Sequence, residues 1–493
     1  MKLLRFFFIL ACCGMPLFSL LAEEVEYVWN VTVDVNNRDP QASDGDPTTP
    51  FRTIQAAATN AMGYARAGKS VLVRVHPGVY RESVTLRGKV DESNAAIKFE
   101  GTDPGNVVIN GAQIVNGWDI GEFDIFELPW IPTKENPAVF VEGARLVEVA
   151  SPRQVMQGQV CFVRGKEPKI YLLPPKGGVV KNGTVEISGM GVGIRAENVD
   201  GLYLESLAFE RGFDAAIDVH GGDGLIINNV AIEYAHGDGL RLADLDKVRI
   251  RRLIVDRCGG NGIVLERLGA LAMSGTEVKL NNWSRRTDDL AGLKISGCGQ
   301  VKVWSLKASE NHGAGLWMAD TTHQSALSKV VAVNNGTGAI FENNQDIASL
   351  TECQFAYNRD GGVVLKGGGL YLMANVFYGN GGAQITLADC DQRSELQASR
   401  NIIVARKGEL LIDVEARDHG LLAEKNLYES PSKEPFRALG EPLTFIQWQE
   451  VASLDLDSYL GEAKLLDPEN YGFTPAPQSP YFKMSSWPVR ELD

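Results

Sequence analysis

A repeat of 23 residues fills the middle of the chain and constrains its fold more than any other feature. An apolar residue returns at this interval after each Gly-rich turn, at Ile194, Ile217, Leu240 and Ile263. One longer step of 30 residues follows, and the interval then resumes, at Leu293, Leu316, Ala339 and Gly362. A period of this size is typical of a solenoid, in which each coil buries its apolar residues against the next coil.

The residues within each repeat indicate β-strands. Short segments rich in Val, Ile and Leu alternate with Gly and Asn, and no helical stretch interrupts them. A second apolar position repeats at the same step, at Leu202, Leu225 and Val248. The pattern therefore predicts an all-β fold, a parallel β-helix with coils of about 23 residues. The longer coil contains NNWSRRTDDLAG and predicts a loop on one face of the solenoid.

The sequence outside the repeat predicts four further segments. Residues 1–22 read as a secretory signal peptide, because Lys2 and Arg5 precede an apolar run and the small Ala22 precedes two Glu residues. Residues 23–111 predict an N-terminal cap with a helix over 50–67, followed by the first coils. Residues 112–187 are rich in aromatic residues and turns, which predicts a small antiparallel β-sandwich insert before the main solenoid of 188–430. Residues 431–493 predict a tail packed on the solenoid.

The composition restricts the partners and the location of the protein. A formal net charge of −14 argues against nucleic acid as a partner. Apart from the signal peptide, no stretch is apolar enough to span a membrane, so we expect export to the periplasm or the medium. The five Cys residues after the signal peptide are odd in number and lack CxxC spacing, which predicts small buried thiols. The sequence does not predict the number of subunits.

Strand alternation and coil stacking are expected to gather polar and aromatic side chains on one face. The first outward column is predicted to contain Asp218, Arg241, Val264, Lys294, Trp317 and Ile340. The second is predicted to contain His220, Ala243, Glu266, Ser296, Ala319, Glu342 and Lys366. An aromatic ring among carboxylates suits a saccharide, because the ring covers the sugar while the carboxylates act as acid and nucleophile.

Asp320 and Glu342 are the candidate catalytic pair, since 22 residues, nearly one coil, separate them. Their carboxyl groups could then lie about 5 Å apart, as in a retaining glycosidase. The candidate substrate-binding residues are Trp317, Lys294, Arg241, Glu266, Trp283 and His312. Against this hypothesis, outward charges on a solenoid are usually a solvated face, and the tail or the longer loop could cover Trp317. The chemistry requires no cofactor; Ca²⁺ binding stays open, without EF-hand spacing, at Asp44, Asp46, Asp288 and Asp289.

Three parts of the sequence resemble a known family. PFRTIQAAATNA followed by VLVRVHPGVYRESV resembles the start of exported right-handed parallel β-helix proteins of the pectate-lyase-like superfamily. VVINGAQIVNGW and AVFVEGARLVEVASPR resemble the β-sandwich inserted early in one branch, the β-xylosidase-like β-helix glycoside hydrolases. GLWMAD and AIFEN resemble the strand pair that carries that branch's Asp nucleophile and Glu acid/base.

The resemblance implies a retaining exo-glycosidase acting on plant or algal saccharides, with Asp320 as nucleophile and Glu342 as acid/base. The family's Asp stands one place earlier, where this chain has Ala319, so a bulge must turn Asp320 towards the site. Two alternatives remain open. A polysaccharide lyase would use Lys294 or Arg241 as the base on a uronate-containing glycan, helped by Ca²⁺. A non-catalytic glycan-binding protein would use the same surface without the chemistry.

Overall fold

The computed structural model describes residues 26–37, 44–89, 94–131, 133, 136–189, 191–212, 214–284, 290–388, 394–415, 420–452 and 455–484. The predicted signal peptide lies outside these residues, as do Asp288 and Asp289 of the longer loop. The described chain winds into a right-handed parallel β-helix, as the repeat and the resemblance predict.

Each coil of the solenoid contributes strands to two parallel sheets, which we call the long-strand sheet and the short-strand sheet. In the central coils the long strand bends at one residue in the left-handed region, such as Arg252 (φ 50°) or Lys329 (φ 53°). The long-strand sheet contains Trp29–Val33, Val71–Val75, Gly78–Tyr80, Ile97–Gly101, Val107–Asn110, Leu202–Glu205, Ala208–Glu210, Leu225–Glu233, Lys247–Asp256, Ala270–Lys279, Gln300–Ser309, Ser325–Val333, Ile347–Thr351, Gln354–Ala356, Gly369–Met373, Val376–Tyr378, Glu395–Ser399, Ile402–Val404, Gly420–Glu424, Leu427–Glu429 and Tyr459–Leu460.

The short-strand sheet carries the predicted site. It contains Val84–Arg87, Val192–Glu197, Ala215–His220, Asp238–Ala243, Ile263–Glu266, Ala291–Ser296, Ala314–Ala319, Thr337–Glu342, Gly361–Lys366, Ala383–Leu387, Leu410–Val414, Phe436–Ala438 and Glu441–Leu443. Its inward residues stack in register at the predicted interval, from Ile217 through Leu240, Ile263, Leu293, Leu316 and Ala339. The next residue in the stack is Val363 rather than the predicted Gly362, because the coil between them is one residue longer.

A ladder of buried asparagines supports the turn that leads into the short-strand sheet. Each side-chain amide nitrogen donates to the side-chain oxygen of the asparagine in the next coil. The distances are 2.9 Å from Asn281 to Asn311, 2.9 Å from Asn311 to Asn335, 3.1 Å from Asn335 to Asn358 and 2.8 Å from Asn358 to Asn380. A buried amide needs such partners, because leaving it unpaired costs about 1–3 kcal/mol. The ladder therefore fixes the stacking of these turns while the aliphatic core fills the interior.

Both ends of the solenoid are closed by non-repeating segments. At the N-terminal end, the helix Ile54–Arg66 begins after Thr53, whose hydroxyl accepts from Ala56 N (3.2 Å), and its apolar face is buried. It is shorter than the predicted 50–67 helix. At the C-terminal end, the helix Phe445–Ala452 stacks Trp448 on Phe436 (4.8 Å). Further elements of the tail are the hairpin of Leu465–Asp467 and Gly472–Pro475, the short helix Tyr481–Met484 and the 3-10 turns Asp455–Asp457 and Pro468–Asn470.

An insert with antiparallel pairing interrupts the early coils. Its strands are Ala112–Ile114, Val139–Val141, Ala144–Arg145 and Val185–Ser188 in one sheet, and Asp119–Ile120, Phe126–Pro129, Val147–Glu148, Gln159–Val163 and Lys169–Leu173 in the other. Two 3-10 turns, Glu122–Asp124 and Pro152–Gln154, join them. Glu186 anchors the insert to the solenoid, since its buried carboxylate pairs with Arg81 and with Arg211 (2.5 Å).

The cysteines of the described chain are buried thiols, as predicted. Cys161, Cys258, Cys298 and Cys353 are unpaired and buried, and burial raises the pKa of each thiol. Cys390 lies outside the described residues. None of the helices in the described ranges has the length and apolar character that a bilayer crossing requires.

Candidate functional site

The outward residues of the short-strand sheet stack in the two predicted columns. The first is Asp218, Arg241, Val264, Lys294, Trp317 and Ile340. The second is His220, Ala243, Glu266, Ser296, Ala319, Glu342 and Lys366. The register follows from the sequence because parallel in-register coils place residues one period apart directly above one another.

Trp317, Glu342 and Lys294 form the central cluster of this face. The Trp317 indole Nε1–H donates to a Glu342 carboxylate oxygen at 3.2 Å. The Lys294 ammonium lies 4.9 Å from the centroid of the Trp317 ring, within the range of a cation–π contact. All three side chains are partly exposed. The cluster thus presents an aromatic ring, a carboxylate and a cation to solvent within adjacent coils.

Asp320 lies next to this cluster but not in its column. Ala319, which is 9% exposed, is the residue paired with Glu342. Asp320 starts the turn, with φ 53°, and its backbone N–H donates to the Glu342 carbonyl at 3.0 Å. The same left-handed conformation occurs at this position in other coils, at Arg267 (φ 51°) and Asn343 (φ 49°). The Asp320 side chain is exposed and forms no hydrogen bond or ion pair with any described residue.

Asp244 shows what an Asp at this turn position does elsewhere in the solenoid. It follows Ala243 as Asp320 follows Ala319, and it has the same left-handed backbone (φ 58°). Its carboxylate binds Arg267 of the next coil through two bonds of 2.7 and 2.9 Å, which hold the pKa of Asp244 below its ordinary value. One coil beyond Asp320 the corresponding residue is Asn343, which offers no charge. The Asp320 carboxylate thus differs from its counterpart, because no cation among the described residues pairs with it.

Arg241 and Glu266 lie on the same face; Glu266 is on the strand next to that of Lys294, and Arg241 is one strand further away. Arg241 is two strands from Lys294 along its column, and its Nε lies 3.3 Å from Asp238. Glu266 is three strands from Glu342, about 14 Å at the usual strand spacing, and lies 3.3 Å from Arg267. At the start of the column Asp218 is 3% exposed and pairs with Arg195 and His220, each at 3.2 Å. Arg241, Glu266 and Asp218 therefore form ion pairs with neighbours outside the central cluster.

The structure does not place Trp283 and His312 with the central cluster. They lie in turns that lead into the short-strand sheet, at the opposite strand end from Glu342. The Trp283 Nε1–H donates to the Arg257 carbonyl at 2.8 Å, and the Arg145 guanidinium of the insert lies 3.7 Å from its ring centroid. Trp283 therefore joins the insert to the solenoid. Arg285 and Arg286, which follow it, lie outside the described residues.

A cavity of about 580 Å³ opens at these turns. Its lining includes Trp283, Glu310, His312, Asn334, Tyr357 and Arg359, over the ladder residues Asn281, Asn311 and Asn335. The strand pattern of the sequence does not predict this cavity, because the cavity is assembled from one residue per turn and depends on how each turn bends. The signal that could have revealed it is the position just before each ladder asparagine, where Leu280, Glu310, Asn334 and Tyr357 recur.

The described residues do not cluster as metal ligands. No group of three His, Cys, Asp or Glu side chains is arranged to hold an ion in the ranges that the structure describes. Asp44 accepts from the Thr49 hydroxyl, which lowers the pKa of Asp44, and Asp46 accepts from the Thr48 backbone N–H (3.0 Å) and hydroxyl (2.8 Å). These two carboxylates therefore brace a loop. Asp288 and Asp289, the other candidate Ca²⁺ ligands, lie outside the described residues.

Comparisons with known proteins place the fold. The model of the right-handed β-helix region matches residues 176–328 and 291–434, together more than half of the chain. The structure of XylC in complex with xylose is 15% identical, with a TM-score of 0.60 over 83% of this chain and 85% of that one. The A-module of the Azotobacter vinelandii mannuronan C-5 epimerase AlgE4 is 13% identical, with a TM-score of 0.49 over 88% of this chain and 100% of that one. No curated protein sequence matches the chain significantly. The likeness to XylC shows a shared fold.

Proposed function

The chain belongs to the right-handed β-helix family, and from this premise we propose that it binds and hydrolyses saccharides on the outer face of its short-strand sheet. The β-helix fold alone does not determine a reaction, so the proposal rests on the side chains. A saccharide ligand also agrees with the structural neighbour XylC, whose structure was determined in complex with xylose.

The hydrogen bond between the Trp317 indole and the Glu342 carboxylate is the main observation in support of the proposal. A Trp ring on an otherwise polar face suits a sugar, whose C–H face packs on it while the hydroxyl groups bond to neighbouring charges. The indole N–H, at 3.2 Å, orients the Glu342 carboxylate at the edge of this ring. Lys294, 4.9 Å from the ring centroid, adds a donor for sugar hydroxyls. Ring, acid and donor therefore lie within reach of one sugar residue.

In the proposed reaction Glu342 protonates the leaving glycosidic oxygen and then activates water. Asp320 is the second carboxylate, which attacks the anomeric carbon in a retaining reaction. A retaining pair needs carboxyl groups about 5–5.5 Å apart, so the Asp320 side chain must extend over Ala319 towards Glu342. The small side chain of Ala319, which is paired with Glu342, supports this arrangement because it leaves room for the Asp320 carboxylate.

A non-catalytic glycan-binding protein is the second candidate. The observation that favours it is Ala319, since the position directly opposite Glu342 has no carboxylate. The lyase alternative has less support, because its candidate bases are engaged. Arg241 pairs with Asp238 at 3.3 Å, and the Lys294 ammonium lies over Trp317.

The deciding experiment is a hydrolysis assay on a panel of plant and algal oligosaccharides and aryl glycosides. On the oligosaccharides, a glycosidase releases new reducing ends without ultraviolet absorbance, a lyase releases absorbing unsaturated products, and a binding protein releases neither. The aryl glycosides report hydrolysis through the phenol that they release. Proton NMR of the first product distinguishes retention from inversion. Absence of any hydrolysis, together with binding to the panel, would replace the hydrolase proposal by the second candidate.

Export is a separate part of the proposal. It rests on the charged and apolar pattern of residues 1–22. Mass determination of the protein secreted by its source cells tests it, and a mature N-terminus at Glu23 is expected. A cytoplasmic product that keeps residues 1–22 would contradict export.

A further inference from the structure

The cavity at the ladder turns has the chemistry of a second saccharide-binding surface. Glu310, Asn334 and Arg359 are exposed at its mouth, and Tyr357 is half-buried. The Glu310 carboxylate forms no hydrogen bond or ion pair with any described residue. Acceptors, donors and an aromatic ring therefore share one concave surface of about 580 Å³, which is within the usual size range of small-molecule sites.

Contacts with the C-terminal tail hold Tyr357 in place on one side of the cavity. The Tyr357 hydroxyl donates to the Pro468 carbonyl at 2.8 Å, and burial raises the pKa of Tyr357 to about 12, so the phenol stays a neutral donor. Tyr471 of the tail hairpin packs its edge against Tyr357 (5.7 Å) and accepts from Asn334 at 2.7 Å, yet remains 49% exposed. Aromatic rings that are fixed in place lose little entropy on binding, which suits recognition of a flat sugar face.

The cavity and the Trp317 cluster lie on the same coils. His312, which lines the cavity, precedes Trp317 by five residues, about 16 Å of extended chain. The segments between are small, with Gly313, Ala314 and Gly315 in one coil and Gly336, Thr337 and Gly338 in the next. No bulky side chain of these two coils separates the cavity from the Trp317 ring.

We propose that the cavity is a distal subsite, which holds a remote unit of the same oligosaccharide whose other end lies at Trp317 and Glu342. The inference rests on the proposed saccharide function and extends it, since it makes the preferred ligand a chain of several sugars rather than a disaccharide. The polar groups supply mixed donors and acceptors, so a hydroxyl-rich unit fits better than a strongly charged one, and Arg359 is already paired with Asp360 (2.7 Å).

Binding as a function of chain length tests the subsite. Calorimetry uses the full chain carrying Glu342→Gln, so that turnover does not interfere, and xylo-, manno-, galacto- and alginate oligosaccharides from di- to hexasaccharide. We expect at least one series to bind about tenfold more tightly as the hexasaccharide, since a further site contributing about 1.4 kcal/mol has that effect. Adding Glu310→Ala and Arg359→Ala should abolish this gain.

Glu352→Ala is the matched control. Glu352 is exposed and has φ 56° against 57° for Glu310, but it lies at a different bend of the coil. It should leave the length dependence intact, and equal thermal unfolding midpoints would exclude a folding defect. Affinity that does not rise with length in any series, or that rises equally in the cavity variant, overturns the subsite. Hydrolysis of short glycosides is measured separately, so a failure of the catalytic proposal is distinguishable.

Discussion

Ala319 lies directly opposite Glu342 in the parallel register of two neighbouring coils, and Asp320 begins the turn immediately after it. The carboxylate that would complete a catalytic pair is therefore displaced by one residue along the chain. In a strand such a displacement reverses the side chain, but at a left-handed turn the chain changes direction and the side chain is no longer bound to that alternation.

Glu342→Gln is expected to lower kcat/KM on a hydrolysed glycoside by about 10²–10⁴-fold, because proton transfer to the leaving oxygen is lost. The matched control is Glu197→Gln, at the equivalent strand end of a distant coil, where Glu197 lies 3.4 Å from Arg87. Steady-state kinetics of both variants provides the measurement. Unchanged activity in Glu342→Gln would remove Glu342 from the mechanism.

Asp320→Asn distinguishes catalysis from turn formation, since Asn is equally suited to a left-handed backbone. If Asp320 is the second carboxylate, its neutralisation should lower kcat by at least about a hundredfold. Asp244→Asn, at the same turn position (φ 58°), should leave kcat unchanged and cost at most about 1 kcal/mol of stability through its exposed pair with Arg267. Equal kcat values for the two variants would assign Asp320 to the turn alone.

Glu186→Gln should destabilise the junction between the insert and the solenoid by about 3 kcal/mol, because Arg81 and Arg211 lose their shared carboxylate in a shielded position. Urea unfolding gives the change, and hydrogen exchange should locate it at Val139–Val141 and Val185–Ser188. For comparison, Asp223→Asn breaks the exposed pair with Lys247 (2.9 Å) and should cost no more than about 1 kcal/mol. Similar losses in both variants would argue against an anchoring role.

Asp455 should give the C-terminal cap a pH dependence. Burial raises the pKa of this carboxyl above its ordinary 3.8, although Trp448 Nε1 (2.9 Å) and Tyr428 Oη (2.8 Å) donate to it. The folded state then holds the proton more tightly than the unfolded chain, so this contribution is complete at low pH and is lost as the pH rises through the folded-state pKa.

In Asp455→Asn this loss should be absent. The unfolding free energy of the variant should therefore increase relative to that of the wild type as the pH rises from below the ordinary carboxyl pKa of 3.8 to neutral, whatever the offset from altered hydrogen bonds. Urea titrations across that range provide the curves. Parallel curves for the two proteins would show that Asp455 does not titrate differently on folding.

The architecture and the columns of the site face were predictable because a strict repeat with in-register stacking leaves little freedom. Once Leu316 is inward, Trp317 must be outward, and the residue one coil beyond Ala319 must be Glu342. Val363 stacks where the strict repeat predicts Gly362, because one added residue in that coil shifts the column. Turn conformations were harder to foresee.

Turn geometry also explains the misplaced residues. Trp283 and His312 have the right chemistry for a saccharide, but they precede their strands, whereas Glu342 ends one. The sequence indicates which residues turn without indicating how far each turn displaces the side chain. The Arg145 guanidinium of the insert also packs over the Trp283 ring. This contact joins segments more than a hundred residues apart, so no local sequence pattern predicts it.

The stacking of coils has a consequence for how the molecule ends. A second stack of buried asparagines, formed by Asn375, Asn401 and Asn426, shows it. Each coil is completed by the next, so the final one must be completed by something that is not a coil: Ser458 of the tail accepts from the Asn426 backbone N–H at 2.9 Å, and Glu441–Leu443 pairs antiparallel with the last short strand. The C-terminal tail therefore caps a stack of coils that the repeat alone does not end. A chain truncated before this capping tail would expose the unpaired strand edge of its last coil. Because such an edge pairs with a strand edge of another copy of the chain, we expect truncated chains to form end-to-end fibres.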